Sequence, residues 1–119
     1  MKTDKINVGD QTVYIAGPMT GIEDYNFNKF DAASYKWKEK GFKVINPATL
    51  TREYAKREGL KIKDLCVREC AMTDLVEIIS RASHMFMLKG WEYSKGAKTE
   101  HALAEWLGIT ISYEDEIRS

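Results

Sequence analysis

Cysteine and proline are scarce in this chain, and glycine is modest: two Cys, two Pro and eight Gly among 119 residues. So few cysteines exclude a disulfide-stapled scaffold. So little Pro and Gly excludes a collagen-like or low-complexity chain. Charge of one sign is missing too. Eighteen basic side chains meet eighteen acidic ones, which speaks against a protein that grips a nucleic-acid polymer by its phosphates. The charge-rich stretch from Arg52 to Lys63 alternates in sign and reads as a solvated face. No apolar run reaches the ~18 residues of a membrane span, so no membrane partner is expected. The opening MKTDKINVGD does not read as a signal peptide. A reduced, cytoplasmic protein is the expectation. Cys66 and Cys70 are four apart, which is neither a disulfide nor a zinc-ribbon spacing, and they read as small core residues.

What is present is an ordinary globular balance, with 44% hydrophobic residues, enough for one core and one domain over residues 1–119. TVYIA at 12–16 is a β-branched and aromatic strand stopped by Gly17-Pro18. Phe27, Phe30, Ala33, Ser34 and Trp37 recur at helical spacing, with Gly41 just past the helix end, and FKVIN follows as a second strand. A short polar helix is expected over 49–58. A longer one is expected from about Ile62 to Ser80, with Ile62, Leu65, Cys66, Thr73 and Val76 as its stripe. SHMFML is a third strand, Lys95 to Leu107 a helix closed by Gly108, and ITISY the last strand. Strands alternating with helices predict a Rossmann-like (flavodoxin-like) three-layer α/β/α sandwich with a mainly parallel sheet of four to five strands. Ligands bind such sheets at the carboxyl ends of the strands, where the strand order reverses. Two Gly-rich loops, AGPMTG and KGWEYSKG, fall there.

Neither loop is a G-x-G-x-x-G or a Walker loop, and no G-x-S-x-G elbow or Cys-His signature occurs. His84 and His101 lack supporting ligands at a metal-site spacing, so neither a metal nor a cofactor is expected. His84 reads as a satisfied core or edge histidine. Three other side chains invite chemistry. Asp74 has Cys70, Ala71 and Ile78 as helical neighbours and needs either a partner or an outlet to water. Glu100 lies early in the last helix among Gly96, Ala97 and Ala104, with space beside its carboxyl, though a solvent-facing glutamate would read the same way. Tyr14, inside the first strand, needs a partner for its hydroxyl, either a carboxylate or a backbone carbonyl. Ser94 suits the N-cap of the last helix.

VYIAGPMTG near the start, with SKGAKTEHALAEWLG near the end, resembles the nucleoside 2-deoxyribosyltransferase superfamily, which includes the 2′-deoxynucleoside 5′-monophosphate N-hydrolases. The chain looks most like a small branch found in phage and bacterial genomes. The resemblance runs from about Thr12 to Ile111. It implies Glu100 as the catalytic carboxylate, Asp74 as its partner acid 26 residues earlier, and Tyr14 as the tyrosine that holds the glutamate. It implies that Gly17, Pro18 and Met19 of the first loop, with Ser94 and Gly96 of the second, bind substrate. Ser94 stands where the transferases carry an aspartate and the monophosphate hydrolases a serine, which favours a phosphorylated substrate. Thr20 stands where the hydrolases carry an arginine.

The expected activity is cleavage or transfer of the N-glycosidic bond of a nucleotide or nucleoside. The alternative is a non-catalytic nucleotide-binding sensor or regulatory module on the same fold. The partners expected are the small molecule itself and further copies of the chain, as a homodimer or higher homo-oligomer. Its interface would use the helix from about Ile62 to Ser80 or that from about Asn26 to Lys40. Aromatics expected to be exposed, Tyr35 and Trp91 among them, point the same way.

Overall fold

The computed structural model describes residues 11–115. MKTDKINVGD and residues 116–119, and with them the ends of the expected domain and the signal-peptide reading, lie outside the described residues. Strand β1 (Thr12–Ala16) is buried along its whole length. It is followed by α1 (Phe27–Glu39), β2 (Lys43–Ile45), α2 (Pro47–Glu58), α3 (Val67–Arg81), β3 (His84–Met87), α4 (Lys95–Leu107) and β4 (Thr110–Tyr113). The four strands form one all-parallel sheet in the order β2-β1-β3-β4. Alternation along β1 sorts its residues into two layers. Val13 and Ile15 pack with Phe27, Phe30 and Ala33 of α1. Tyr14 and Ala16 pack with Ile78 of α3 and with Ala97 and Ala104 of α4. The result is the three-layer α/β/α, Rossmann-like sandwich, with four strands.

From β1 the chain steps to β2 on one side, then crosses back to β3 on the other. The order therefore reverses between β1 and β3, and their carboxyl ends open a crevice. Gly17 permits the closeness there. A Cβ on it would lie 2.7 Å from Leu88 Cβ, and Leu88 N donates to Ala16 O at 2.7 Å.

Several sequence expectations are corrected. The helix expected from Ile62 is broken: Ile62–Asp64 is a separate 3-10 turn, Leu65 is extended (φ −72°, ψ 150°), and α3 starts at Val67 with Cys66 as its N-cap. Its expected stripe also faces the wrong way. Cys66, Thr73 and Val76 are exposed, while Ile78 is buried and Leu75 packs on the core. At 100° per residue, a helix that turns Ile78 and Asp74 inward must turn Thr73 and Val76 outward. Cys66, at the N-cap, is exposed, and Cys70, which borders the cleft, is only half-buried; neither is core, and both thiols are free. Helix α2 starts two residues earlier than expected. Asn46 caps it, accepting from Ala48 N at 3.0 Å, and Pro47 suits the first turn.

Trp91 is half-buried rather than exposed, its ring stacked on His101 at 4.3 Å; Trp106 is the exposed tryptophan. His84 is not satisfied. Its ring packs against Trp37 and Phe42, its buried Nδ1 has no hydrogen-bond partner among the described residues, and burial pushes its pKa down. Among the described residues, no helix is long and apolar enough to cross a membrane.

Candidate active site

Tyr14 sits at the centre of the sheet, in register with Ile45 on one side and Met85 on the other. Its side chain leaves the sheet on the α3–α4 face, and its hydroxyl donates to Glu100 Oε2 at 2.7 Å. Of its two possible partners, the carboxylate takes the bond. Glu100 stands in the second turn of α4. Ser94 starts that helix, its Oγ accepting from Ala97 N at 3.1 Å, so the hydroxyl proton is not spent on the cap. Asp74 approaches from α3, close enough for its charge to act on both Tyr14 and Glu100.

The electrostatics follow from burial. Desolvation is the largest influence on all three groups. It holds the Tyr14 phenol well above its usual value, so the hydroxyl keeps its proton and stays a donor. It pushes Asp74 up to about 7, with the charge of Glu77 adding to the shift, and Glu100 up to about 8, with the charge of Asp74 adding. The Tyr14 hydroxyl works against both shifts. Two carboxyls this close titrate as a pair and hold on to a proton near neutral pH.

The three groups lie in one cleft of about 530 Å³ at the crevice between β1 and β3. Gly17, Met19, Ser94 and Gly96 line the same cleft, as the sequence predicts. Pro18 does not. It is buried behind the loop with its ring against Gly90, its carbonyl accepts from Asn26 Nδ2 at 2.9 Å, and it borders a separate hollow of about 280 Å³.

Sequence reasoning missed the rest of the walls. Val67, Cys70 and Ala71 of α3, Phe30 of α1 and Pro47 of α2 form an apolar side. Tyr93 and Lys95 form a polar rim, together with Thr20, which the resemblance sets at the hydrolases' arginine. Cys70 was findable: it is one turn before Asp74 and shares its face. Phe30 and Pro47 come from other elements, so no local spacing marks them. Ser83 is structural, its Oγ accepting from Thr12 N at 2.9 Å where β1 begins. His101 bonds Tyr113 at 2.8 Å, away from the cleft. Among the described residues, no three His, Cys, Asp or Glu side chains gather as a metal cluster.

Chemically the arrangement offers a pair of carboxyls that shares a proton near neutral pH, one of them fixed by a buried phenol, beside an apolar wall. A search of curated proteins and one of solved structures each found no match. A family model described as "Domain of unknown function (DUF4406)" matches residues 11–113, nearly the whole described span. By that match the chain belongs to the DUF4406 family.

Proposed function

We propose that this protein breaks or transfers the N-glycosidic bond of a deoxynucleotide or nucleoside, in the manner of the nucleoside 2-deoxyribosyltransferase superfamily. One observation carries the reading: Glu100, held by Tyr14 at 2.7 Å with Asp74 beside it, sits in the cleft where the strand order reverses.

Breaking an N-glycosidic bond develops positive charge on the sugar. That charge favours the ionised form of Glu100, opposing what burial does. Burial leaves Glu100, at about 8, the weaker acid of the pair; the positive charge developing beside it, with the single Tyr14 proton donated to its Oε2, is what turns Glu100 into the anion while Asp74 takes the proton. Asp74 passes that proton to the departing base. Glu100 then either bonds to the anomeric carbon or stabilises its charge, and water or a second base takes the sugar. Where water is the acceptor, its hydroxyl oxygen bonds to the anomeric carbon, Glu100 is released and the remaining proton returns to Asp74. The hydroxyl of Ser94 and the ammonium of Lys95 suit a phosphate at the rim. This chemistry uses no metal or cofactor.

A second reading, a nucleotide-binding module without catalysis, draws support from Thr20. It lines the cleft where the hydrolases carry an arginine, and leaves Lys95 as the cation among the described lining residues. Incubation with a panel of deoxynucleoside 5′-monophosphates and nucleosides, reading free base by chromatography, separates the two. Release of base supports the enzyme, binding without release supports the module, and neither result overturns both.

The protein is proposed to work in the cytoplasm and as a homodimer or higher homo-oligomer joined through α3. Met72, Val76 and Ile79, at i, i+4 and i+7, are 61%, 53% and 60% exposed, and Trp106 of α4 is 82% exposed. Helix α1, the other candidate, exposes only Tyr35 among its large apolar side chains.

A further inference from the structure

Asp74 has a second side. Besides the cleft, it lines a hollow of about 60 Å³ between α2 and α3, and so does Cys70. The two residues form the partition between the spaces. The hollow's other walls include Thr51 and Tyr54 from α2 and Thr73 from α3. A buried water needs about 10–15 Å³ and two to four polar partners. The hollow has room for more than one, and the hydroxyls of Thr51, Thr73 and Tyr54 with the Asp74 carboxyl supply the partners. The opening is braced. Tyr54 donates to Glu69 across the two helices, and the Arg57 guanidinium lies 5.5 Å over the Tyr54 ring.

We infer that this hollow is a second water entrance to Asp74, one that keeps its carboxyl in contact with solvent while the cleft is filled. The consequence for catalysis rests on the role proposed for Asp74 above. An acid that has given its proton to a leaving base must stay in touch with water to be reset. The cleft cannot provide that contact while sugar still occupies it, and the hollow approaches from behind. The titratable and charged groups that face Asp74 are Tyr14 from β1, Glu100 and Lys95 from α4 with Tyr93 before it across the cleft, Cys70 and Glu77 from α3, and Glu53, Tyr54 and Arg57 of α2 across the hollow.

The test plugs each entrance by substitution and needs no nucleotide, so its outcome is independent of the chromatographic panel. Gly96→Phe obstructs the cleft on the α4 side, one turn before Glu100: a Cβ at Gly96 meets nothing nearer than Ser94 Oγ at 4.0 Å, so the residue accepts a side chain. Thr73→Leu fills the hollow. The Asp74 carboxyl is followed by carbon NMR on aspartate-labelled full-length protein, its signal assigned by comparison with Asp74→Asn. Either plug alone should move the titration midpoint of Asp74 by less than about half a pH unit. Both together should raise it by more than about one unit, a tenfold change in proton affinity. Thr51→Leu, plugging from the α2 side, should reproduce Thr73→Leu and replaces it if that variant folds poorly. The inference fails if Gly96→Phe alone raises Asp74 as far as the double variant does. It fails equally if the double variant does no more than the sum of the single ones.

Discussion

Tyr14 and Glu100 lie 86 residues apart in the chain and meet through one hydrogen bond of 2.7 Å. The phenol is fully buried in the central strand, flanked by its register partners Ile45 and Met85. It therefore fixes where the Glu100 carboxyl sits. A carboxylate so held meets the geometric demand on a group that must face an anomeric carbon.

Glu100→Gln should keep the fold and remove the base release proposed for this protein. Glutamine has the same shape and can still accept from Tyr14, but it carries no charge to stabilise a cationic sugar and is no nucleophile. Losing such a group costs at least ~3 kcal/mol of transition-state stabilisation, or ~100-fold in rate. Base release by chromatography, beside an unchanged circular dichroism spectrum, checks it. Retained turnover would move the chemistry elsewhere.

Stability should fall as pH rises from about 4 to about 8. Asp74 and Glu100 are raised to about 7 and about 8 in the folded chain, against roughly 4 in the unfolded one. Between these values the folded state holds more protons, so each step up in pH favours unfolding. Asp74→Asn removes one of the two charges. Its melting temperature should exceed that of the parent by several degrees at pH 8, for a gain of ~1–3 kcal/mol, and the gap should close near pH 4. A gap that persists at pH 4 would mean that packing, not ionisation, is responsible.

Most of this fold was legible because its signals are local. TVYIA lies between a polar tail and Gly-Pro, and β1 occupies those five residues. Ser94 and Gly108 bracket α4, whose span matches the expected one. Helix α3 was misread because Ile62 and Leu65 happen to fall in phase with Cys66, Thr73 and Val76. Nothing local marks the extended backbone at Leu65 that separates the 3-10 turn from the helix. At the site, an apolar helix flank points to Asp74 and small neighbours to Glu100, and the resemblance supplies their pairing. The walls from Phe30 and Pro47 are tertiary, created by which helices the sheet brings together, and no spacing along the chain encodes them.

Ser94→Ala should act twice. Loss of the Oγ that accepts from Ala97 N should cost about 1 kcal/mol of stability, read by denaturant unfolding. Binding of a nucleoside 5′-monophosphate should weaken by a further ~1.5–3 kcal/mol, with little change for the nucleoside. An equal loss for both ligands, measured by titration calorimetry, would remove the phosphate role.

Light scattering should report a dimer or larger closed assembly, and Val76→Asp should convert it to monomer without unfolding it. Val76 is 53% exposed between Met72 and Ile79, so a charge there costs the free chain little but disrupts an apolar contact. A parent protein that stays monomeric at high concentration would refute self-association through α3.

The strand order carries a consequence for synthesis. β1 pairs with β3, and Thr12 finds Ser83 across 71 residues. At about 5–20 residues per second, a chain leaving the ribosome waits roughly 4–14 seconds after making β1 before its central pairing partner exists. During that interval β1, α1 and β2 present an unpaired edge and the apolar Tyr14 face to the surrounding solution. Newborn chains of this protein should therefore be most dependent on chaperones in the window before β3 emerges, and least so once α4 has delivered Glu100 to Tyr14.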